Sequence, residues 1–518
     1  MTTQPGWQRL KYARSTANTM TITIDEMASF CKRKGLVFPS VEIYGGMAGS
    51  WDYGPAGVEL ANNLKQSWWK FFVQDRQDMV GIDGSIVNPR AVWEASGHTQ
   101  NFDDILVGCT QCKEKHRADH LVEDEVGIRT DGLTAKELDK HIKKKNIRCK
   151  KCGGDLGQCT PFNLMFETYI GDKTPENQGF LRPETAQIIF TNFKGVADTS
   201  RVKPPFGIAQ IGKAFRNEIA PRNFLFRCRE FEQMEIEYFI HPKQEAECPF
   251  FDEVAKDKLV LFTEDDQKND NEAQTMTVKE AVTKKLLMPW HGYWLAIITR
   301  WFVSLGAKKE NFRCRQHIKT ELSHYAKDTW DIEYKFPFGY KELQGVANRQ
   351  DFDLQQHIKH SGKDLSLFDE ESKEKFVPHV VCEPSLGVGR ALLVFLFDAY
   401  EFDHKRENVV MHLHPKLAPY KAAIFPLLKN RKELVDRAKE IYEDLKQDFH
   451  VFYDESGSIG KRYARQDEIG TPLCITIDFD SLEGGDVTLR DRDTTKQERV
   501  KASALKSKVE QCLRRGNK

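Results

Sequence analysis

Between Arg227 and Ile240 the chain reads Arg-Cys-Arg-Glu-Phe-Glu-Gln-Met-Glu-Ile-Glu-Tyr-Phe-Ile. Side chains of a strand point alternately to opposite faces, so Met234, Ile236, Tyr238 and Ile240 form one apolar face that demands a core. Phe231, Gln233, Glu235 and Glu237 form the other. A solvated sheet face accounts for these charges. It does not account for one Gln and two Glu in succession on a strand otherwise fit for a core. Upstream, Gly207-Ile-Ala-Gln-Ile-Gly-Lys-Ala-Phe-Arg-Asn-Glu218 places Arg216 and Glu218 on a common face by the same rule. Pro221-Arg222-Asn223 between the two suits a long hairpin loop, so the strands pair antiparallel. Their shared surface would carry two arginines, several carboxylates and an aromatic ring. That set suits a nucleotide, with arginine for phosphate, a ring to stack on adenine and carboxylates for an ammonium group.

A second constellation is Val380-Val-Cys-Glu-Pro-Ser-Leu-Gly-Val-Gly-Arg390, followed by Ala-Leu-Leu-Val-Phe-Leu-Phe397. It reads as a short apolar strand ending at Glu383, a Gly-rich turn, and a helix with Arg390 among its first residues. Free N–H groups and the helix dipole favour phosphate there. The Lys-Ser/Thr of a Walker loop and the third Gly of a dinucleotide fingerprint are both missing. Near the N-terminus, Gly54-Pro55-Ala56-Gly57 opens a helix with Leu60, Leu64, Trp68, Phe71 and Phe72 on one stripe. An extended stretch from Asp83 to Asn88 then ends at Pro89.

A chain of 518 residues is too long for one ordinary core, and roughly two to four domains are expected. Lys+Arg and Asp+Glu are equal at 77 each, which excludes a whole-molecule coat of nucleic acid but not a local basic face. No run of about 18 apolar residues exists, so no membrane partner is expected. The twelve cysteines, without a signal peptide, read as reduced thiols of a cytoplasmic protein. Four of them form two CxxC pairs, Cys109/Cys112 and Cys149/Cys152, with 36 residues between the pairs. This spacing suits a four-thiolate zinc ribbon, or free thiols, with His116, His120 and Cys159 nearby as substitute ligands.

Residues 1–24 read as a basic tail, with Arg9, Lys11 and Arg14 and no acid; the likeness to a transit peptide is weak. The expected catalytic domain is 25–412. It contains a Lys-rich, hydrophilic, Cys-bracketed insertion at 106–160 and a second insertion at 243–290 with an acidic surface loop, Glu264 to Gln274. Residues 413–518 alternate strand and helix: strands at Lys421–Phe425, Val451–Tyr453 and Leu473–Asp478, and a helical stripe from Leu434 to Leu445. That is a small α/β domain. Its last 31 residues hold ten Lys/Arg against four Asp/Glu, suited to a polyanion or to a solvated terminal helix.

Together these stretches resemble the signature motifs of class II aminoacyl-tRNA synthetases. The helix followed by an extended segment and Pro89 is similar to motif 1, the dimer element. Phe215-Arg216-x-Glu218, a loop and Arg227-x-x-x-Phe231 are similar to motif 2, and Gly387-Val-Gly-Arg390 to motif 3. Further strings resemble glycyl-tRNA synthetases of the homodimeric type: Tyr44-Gly-Gly-Met-Ala-Gly-Ser-Trp-Asp-Tyr-Gly-Pro55, Trp93-Glu-Ala-Ser-Gly-His98, Arg117-Ala-Asp-His-Leu121, Phe162-Asn-Leu-Met-Phe166, Leu181-Arg-Pro-Glu-Thr-Ala-Gln187, Phe231-Glu-Gln-Met-Glu235, Lys341-Glu-Leu343, Glu383-Pro-Ser385 and Val487-Thr-Leu-Arg-Asp-Arg-Asp493. The resemblance runs from about Met27 to Val500. Gly389 departs from the Asp that many bacterial members carry.

The resemblance implies an α+β fold: an antiparallel catalytic sheet flanked by helices, the Cys-rich insertion, and a C-terminal α/β anticodon-binding domain. It implies that ATP and glycine give glycyl-adenylate, and that glycine then passes to the 3′ end of tRNA(Gly). The enzyme would be a homodimer. Arg216 would hold the α-phosphate and Arg390 the γ-phosphate, with Mg²⁺, while Phe231 stacks on adenine. Asn217, Glu218, Phe226, Arg227, Cys228, Arg229 and Glu230 would complete the ATP site with Glu342, Leu343, Gly387, Val388 and Gly389. For glycine, Glu184, Glu235 and Glu383 would surround the ammonium group. Arg117 would lie near the carboxylate, and Ser385 would crowd Cα. The runs Phe231-Glu232-Gln233-Met234 and Pro384-Ser385-Leu386-Gly387 would form the rest of that pocket. Cys109, Cys112, Cys149 and Cys152 would hold a structural Zn²⁺. Arg490 and Arg492 are the candidates for reading tRNA.

Two rivals fit less well. A synthetase for Pro, Thr or Ser would lack the Glu-Pro-Ser and Phe-Glu-Gln-Met-Glu strings. A binding-only relative should have lost Arg216, Phe231 or Arg390, and all three are present.

Overall fold

The computed structural model describes residues 22–514, except 129, 131 and 324. The basic tail therefore lies almost wholly outside the described residues. Its expected end is too late, since Ile24 already opens a helix, Ile24–Arg33, capped by Thr23 and Glu26 and anchored by buried Met27, Phe30 and Cys31.

Helix α1, Pro55–Trp69, begins with proline in its first turn and buries Leu60, Leu64 and Trp68; Phe72 follows in a wider turn, Lys70–Gln74. Each such side chain contributes about 1.5–3 kcal/mol on burial. The extended stretch expected from Asp83 is strand only over Val87–Pro89, paired with Gln178–Leu181.

The larger part of the chain, ahead of the C-terminal domain, is built on one nine-stranded sheet. In chain order its strands are β1 (Met79–Gly81), β2 (Phe206–Phe215), β3 (Glu230–Ile240), β4 (Lys258–Phe262), β5 (Gln274–Thr277), β6 (Phe312–Gln316), β7 (Asp328–Phe336), β8 (Gly339–Asn348) and β9 (His379–Gly387). In space they run β5-β4-β6-β7-β8-β9-β3-β2-β1. Every pairing is antiparallel except β1 with β2 and β4 with β6. The second insertion is thus not a separate unit, because its strands β4 and β5 extend the same sheet. Its acidic stretch is not a simple loop either: Glu264–Lys268 is a short helix capped by Thr263, whose hydroxyl and N–H donate to the buried Asp266 carboxylate.

Met234, Ile236, Tyr238 and Ile240 join the large core beneath the sheet, together with helix α3 (Pro289–Ser304) and helix α5 (Val388–Ala399). On the opposite face, helix α2 (Ala186–Ser200) and helix α4 (Phe352–Ser361) cover a second core around Phe190, Phe193, Phe206 and Phe239. That second cover buries the polar row of β3 instead of leaving it in water.

The Cys-rich insertion has a core of its own despite its hydrophilic composition. Val107, Leu121, Val122, Leu138 and Ile142 pack two short helices, Ala118–Val126 and Ala135–Lys145, against a three-stranded sheet. The C-terminal domain is a five-stranded mixed sheet, β11-β10-β12-β13-β14 in space, made of β10 (Ala422–Pro426), β11 (Val451–Tyr453), β12 (Leu473–Ile477), β13 (Asp486–Asp491) and β14 (Gln497–Lys501). Helices α6 (Lys432–Leu445) and α8 (Leu505–Arg514) contribute to one core, while α7 (Ile459–Asp467) adds Ile459 and Tyr463 to a smaller one.

Candidate active site

A cavity of about 240 Å³ opens where β3, β9 and β8 lie side by side. Register sets its floor: Glu235 lies opposite Ser385, Gln233 opposite Gly387, and Ser385 opposite Gly345 on the other side. The expected Gly-rich turn after Glu383 is absent. Strand β9 is hydrogen-bonded on both edges and stays extended through Gly387, and Val388 opens α5 directly. Gly389 serves close approach, since a Cβ there would lie 2.8 Å from the carbonyl oxygen of Leu225. The turn Phe224–Phe226 can therefore pack on the start of α5.

One end of the cavity is cationic and aromatic. Arg216 donates from Nε to the Pro183 carbonyl at 3.1 Å, and its Cζ stands 5.4 Å from the Phe231 ring centroid. Arg390 donates from Nε to the Phe226 carbonyl at 3.2 Å, pairs with Glu342 at 3.0 Å, and lies 4.6 Å from the Phe226 ring. Arg216 thus lies against two rings, Phe231 and Phe102, and Arg390 against one, which holds both guanidinium groups at the wall before any ligand arrives. Glu218 is buried and accepts from Arg227 Nε at 2.6 Å. A register shift opposite Ile332/Glu333 lets the consecutive Glu342 and Leu343 both reach the wall.

The other end is anionic. Glu184, Glu235 and Glu383 all line it and are all buried. Glu235 accepts from the Thr185 hydroxyl and, at 3.1 Å, from its N–H. Glu383 pairs with Arg349 at 2.8 Å, and Arg349 also grips Asp353 through Nε and Nη2 at 2.7 and 2.8 Å. Ser385 Oγ accepts from Gln233 at 3.1 Å. Burial pushes the Glu383 carboxyl well above the ordinary range, and burial with the nearby Glu184 raises Glu235. Burial also works to raise Glu184, but His98 and Arg349 hold it below that range.

Several residues expected here point elsewhere. Glu232, Met234, Pro384, Leu386 and Val388 do not line the cavity. Met234, Leu386 and Val388 sit in the core beneath, Glu232 pairs with Lys65 at 3.0 Å, and Pro384 is buried beside Val346 in register. The reason is strand alternation: contiguous strings carry every second residue to the wrong face. Glu230 is exposed and pairs with Lys213. Arg229 is held by the carbonyls of Ala48 and Glu218, and the backbone of Asn217 bonds to Leu164. Arg117 is outside the lining, tied to Asp104 at 2.6 Å and to Asp119. It reaches the wall only through the relay Asp104–Arg227–Glu218. Cys228 is in the lining.

Other lining residues were not foreseen, among them His317, Tyr325, Thr329, Asp331, Gly345 and Ala347. The signal existed: Thr329, Asp331 and Glu333 alternate with Trp330, Ile332 and Tyr334, the same polar row on a core strand that marks β3. Burial raises Asp331 to about 6, with Nε2 of His317 at 2.8 Å opposing.

In the insertion, Sγ atoms of Cys109, Cys112, Cys149 and Cys152 lie within 4.8 Å of one another, with 3.5 Å from Cys109 to Cys152 and 3.6 Å from Cys112 to Cys149. Tetrahedral zinc with Zn–S bonds of about 2.3 Å needs separations of about 3.8 Å. The set fits. His116 stands beside it, Nε2 at 3.3 Å from Cys149 Sγ. Cys159 is apart, in the insertion core, and His120 faces Arg222. Arg490 and Arg492 do not fit the role of RNA readers. Arg490 is buried in a two-point pair with Asp467, both at 2.8 Å, and Arg492 is 2% exposed and donates to Leu413 and Gly470 carbonyls. Among the described residues no helix is long and apolar enough to cross a membrane.

Comparison with known proteins bears on both parts. Residues 421–511 match the family described as Anticodon binding domain. The chain is 49% identical over 505 residues to the glycine–tRNA ligase of Geobacillus kaustophilus, covering 95% of this chain and all of the relative. It is 47% identical over 502 residues to that of Clostridium beijerinckii, covering 95% and 98%.

Proposed function

The chain belongs to the glycine–tRNA ligase family and joins glycine to tRNA at the expense of ATP; on that premise we propose how its residues divide the work. The observation that carries the proposal is one cavity with two arginines at one end and three buried carboxylates at the other. A zwitterion with no side chain, lying beside a triphosphate, has matching ends.

Glycine's carboxylate attacks the α-phosphorus of ATP in line. A carboxylate O–P bond forms, the bond to the β-phosphate bridge breaks, and pyrophosphate leaves. The carboxylate is already ionised, so no side chain need take a proton. Arg216 neutralises charge developing on the α-phosphate, Arg390 holds the γ-phosphate, and Phe231 stacks on adenine. Glu184, Glu235 and Glu383 receive the ammonium group, and Ser385 narrows the space at Cα, so larger amino acids are excluded by size. The 3′-terminal ribose hydroxyl of tRNA(Gly) then attacks the acyl carbon: the ester C–O bond forms, the acyl carbon–phosphate oxygen bond breaks, and AMP departs with the hydroxyl proton passing to its phosphate.

Glu342 and Asp331 are lining carboxylates on neighbouring strands, the oxygen donors that would hold Mg²⁺. When bound, Mg²⁺ supplies charge neutralisation on the phosphates. Cys109, Cys112, Cys149 and Cys152 hold a structural Zn²⁺, and the Arg117–Asp104–Arg227 relay links that insertion to the ATP wall. The active species is a cytoplasmic homodimer, and the C-terminal domain binds the anticodon arm.

Exchange of labelled pyrophosphate into ATP, run with each of twenty amino acids, tests the division of roles. Glycine alone should support exchange. Exchange with alanine or serine at comparable efficiency would overturn the size-exclusion pocket.

A further inference from the structure

Five carboxyl groups, from Glu184, Glu235, Glu237, Asp353 and Glu383, converge at the anionic end of the cavity against one fixed cation, Arg349. Glu237 is the member the site above does not use. It stands behind the lining and is fully buried, and neither of its oxygens has a hydrogen-bond partner among the described residues. One of its oxygens lies within 4.8 Å of oxygens from Glu235 and Glu383. The others are satisfied: Glu235 by Thr185, Glu383 by Arg349, Asp353 by Arg349 and Gln187, and Glu184 by Gln187 with His98 at 3.4 Å.

The surrounding elements offer Glu237 no free counter-charge. Across the strand pair, β2 brings Ile208. From α4 come Asp353 and His357, the latter bonded to Gln187 at 2.9 Å. Arg349 is already committed to Asp353 and Glu383, with the Tyr325 ring over its guanidinium at 3.8 Å. A further carboxylate charge here would be buried without a partner, which the fold cannot support. A carboxylic acid instead gains an O–H donor beside two acceptors.

We infer that Glu237 is a proton-carrying positioning residue of the glycine site: a neutral acid set among its neighbouring carboxylates in the free enzyme, it gives up its proton when the ammonium group of glycine enters. The inference rests on the assignment of Glu184, Glu235 and Glu383 to that ammonium group. Glycine enters as the zwitterion with its three N–H bonds intact. The Glu237 O–H bond breaks, its proton passes to the buffer, and the cluster gains one negative charge as it gains one positive. Burial and the neighbouring Glu383 keep Glu237 well above the ordinary carboxylate range, in agreement. Below the apparent titration of the cluster glycine must displace a proton, so its affinity rises with pH by up to about tenfold per unit.

The test is calorimetric titration of glycine into the full-length protein, at one pH, in phosphate, HEPES and Tris. The observed enthalpy should vary linearly with buffer ionisation enthalpy, with a slope for release of about half to one proton per site. In Glu237→Gln, whose amide keeps the shape but cannot ionise, the slope should fall to near zero. KM for glycine should rise several-fold, more than kcat falls. Normal glycine activation by the wild type with zero slope overturns the inference, as does a wild-type slope in Glu237→Gln. If that variant does not fold, the pH dependence of glycine affinity in the wild type decides, because its slope must match the proton number. Undiminished glycine affinity in Glu383→Gln would instead sink the ammonium-site assignment itself.

Discussion

The cavity floor and the junction with the C-terminal domain both bury charge, with opposite outcomes. At the junction Arg490 meets Asp467 at two points, and Arg406 joins the same carboxylate at 3.1 Å. Arg492 is absorbed by Asp493 and two carbonyls, and Asp493 also accepts from His412 at 2.7 Å. Donors and acceptors there are matched, so nothing is left to recruit a ligand. At the floor, five carboxyl groups face one fixed cation, Arg349, and an ammonium group entering there reduces that excess. Buried charge that balances is architecture; buried charge that does not balance is a site.

The sharpest break in this comparison would come from the arginines. Arg216→Ala and Arg390→Ala should each lower kcat/KM in pyrophosphate exchange by about 10²–10³, with the melting temperature little changed. Arg490→Ala should do the reverse, costing about 1–3 kcal/mol of stability by taking the two-point partner from Asp467 and leaving it to Arg406 alone. Thermal unfolding reads this directly, and glycine-dependent exchange should persist in the folded fraction. A stable Arg490→Ala protein that exchanges normally but fails to charge tRNA would make this arginine an RNA reader after all.

The same contrast explains what could be read from the sequence. Alternation on β3 identified the cavity face because Gln233 and Glu235 break the apolar rhythm of Met234, Ile236 and Tyr238. The β7 face, Thr329 and Asp331, carried an equal signal within its own strand. The Arg-Asp-Arg-Asp run ending at Asp493 misled, because nothing local says that Asp467 and the Leu413 carbonyl fold onto it. Likewise Arg349 gave no local sign, since its worth lies in Glu383 and Asp353, which arrive from other elements. Motif strings named Met234 and Leu386 along with their neighbours, and only the pleat separates the residues that line the cavity from those that hold it up.

Two smaller effects sharpen the comparison further. Zinc analysis should find one ion per chain, and Cys112→Ser with Cys152→Ser should lose it. A chelator should then lower the melting temperature and weaken activation modestly through the Arg117–Asp104–Arg227 relay; a metal-free wild type of unchanged stability would remove zinc from the account. Asp331, with its carboxyl raised to about 6, is a carboxylate above that pH and a neutral acid below it. KM for ATP–Mg²⁺ should therefore rise as pH falls through about 6, by at most about tenfold per unit, and a flat profile would exclude Asp331 from metal binding.

The central claim is that unbalanced carboxylates bind glycine by its ammonium group. Glycine-dependent pyrophosphate exchange in Glu235→Gln tests it most directly, since that change removes charge but keeps shape. The account predicts a KM for glycine raised by about 10²-fold, from the loss of roughly 2–3 kcal/mol of charged hydrogen bonding, with KM for ATP unchanged. An unchanged KM for glycine, in a folded variant with normal ATP binding, would contradict it.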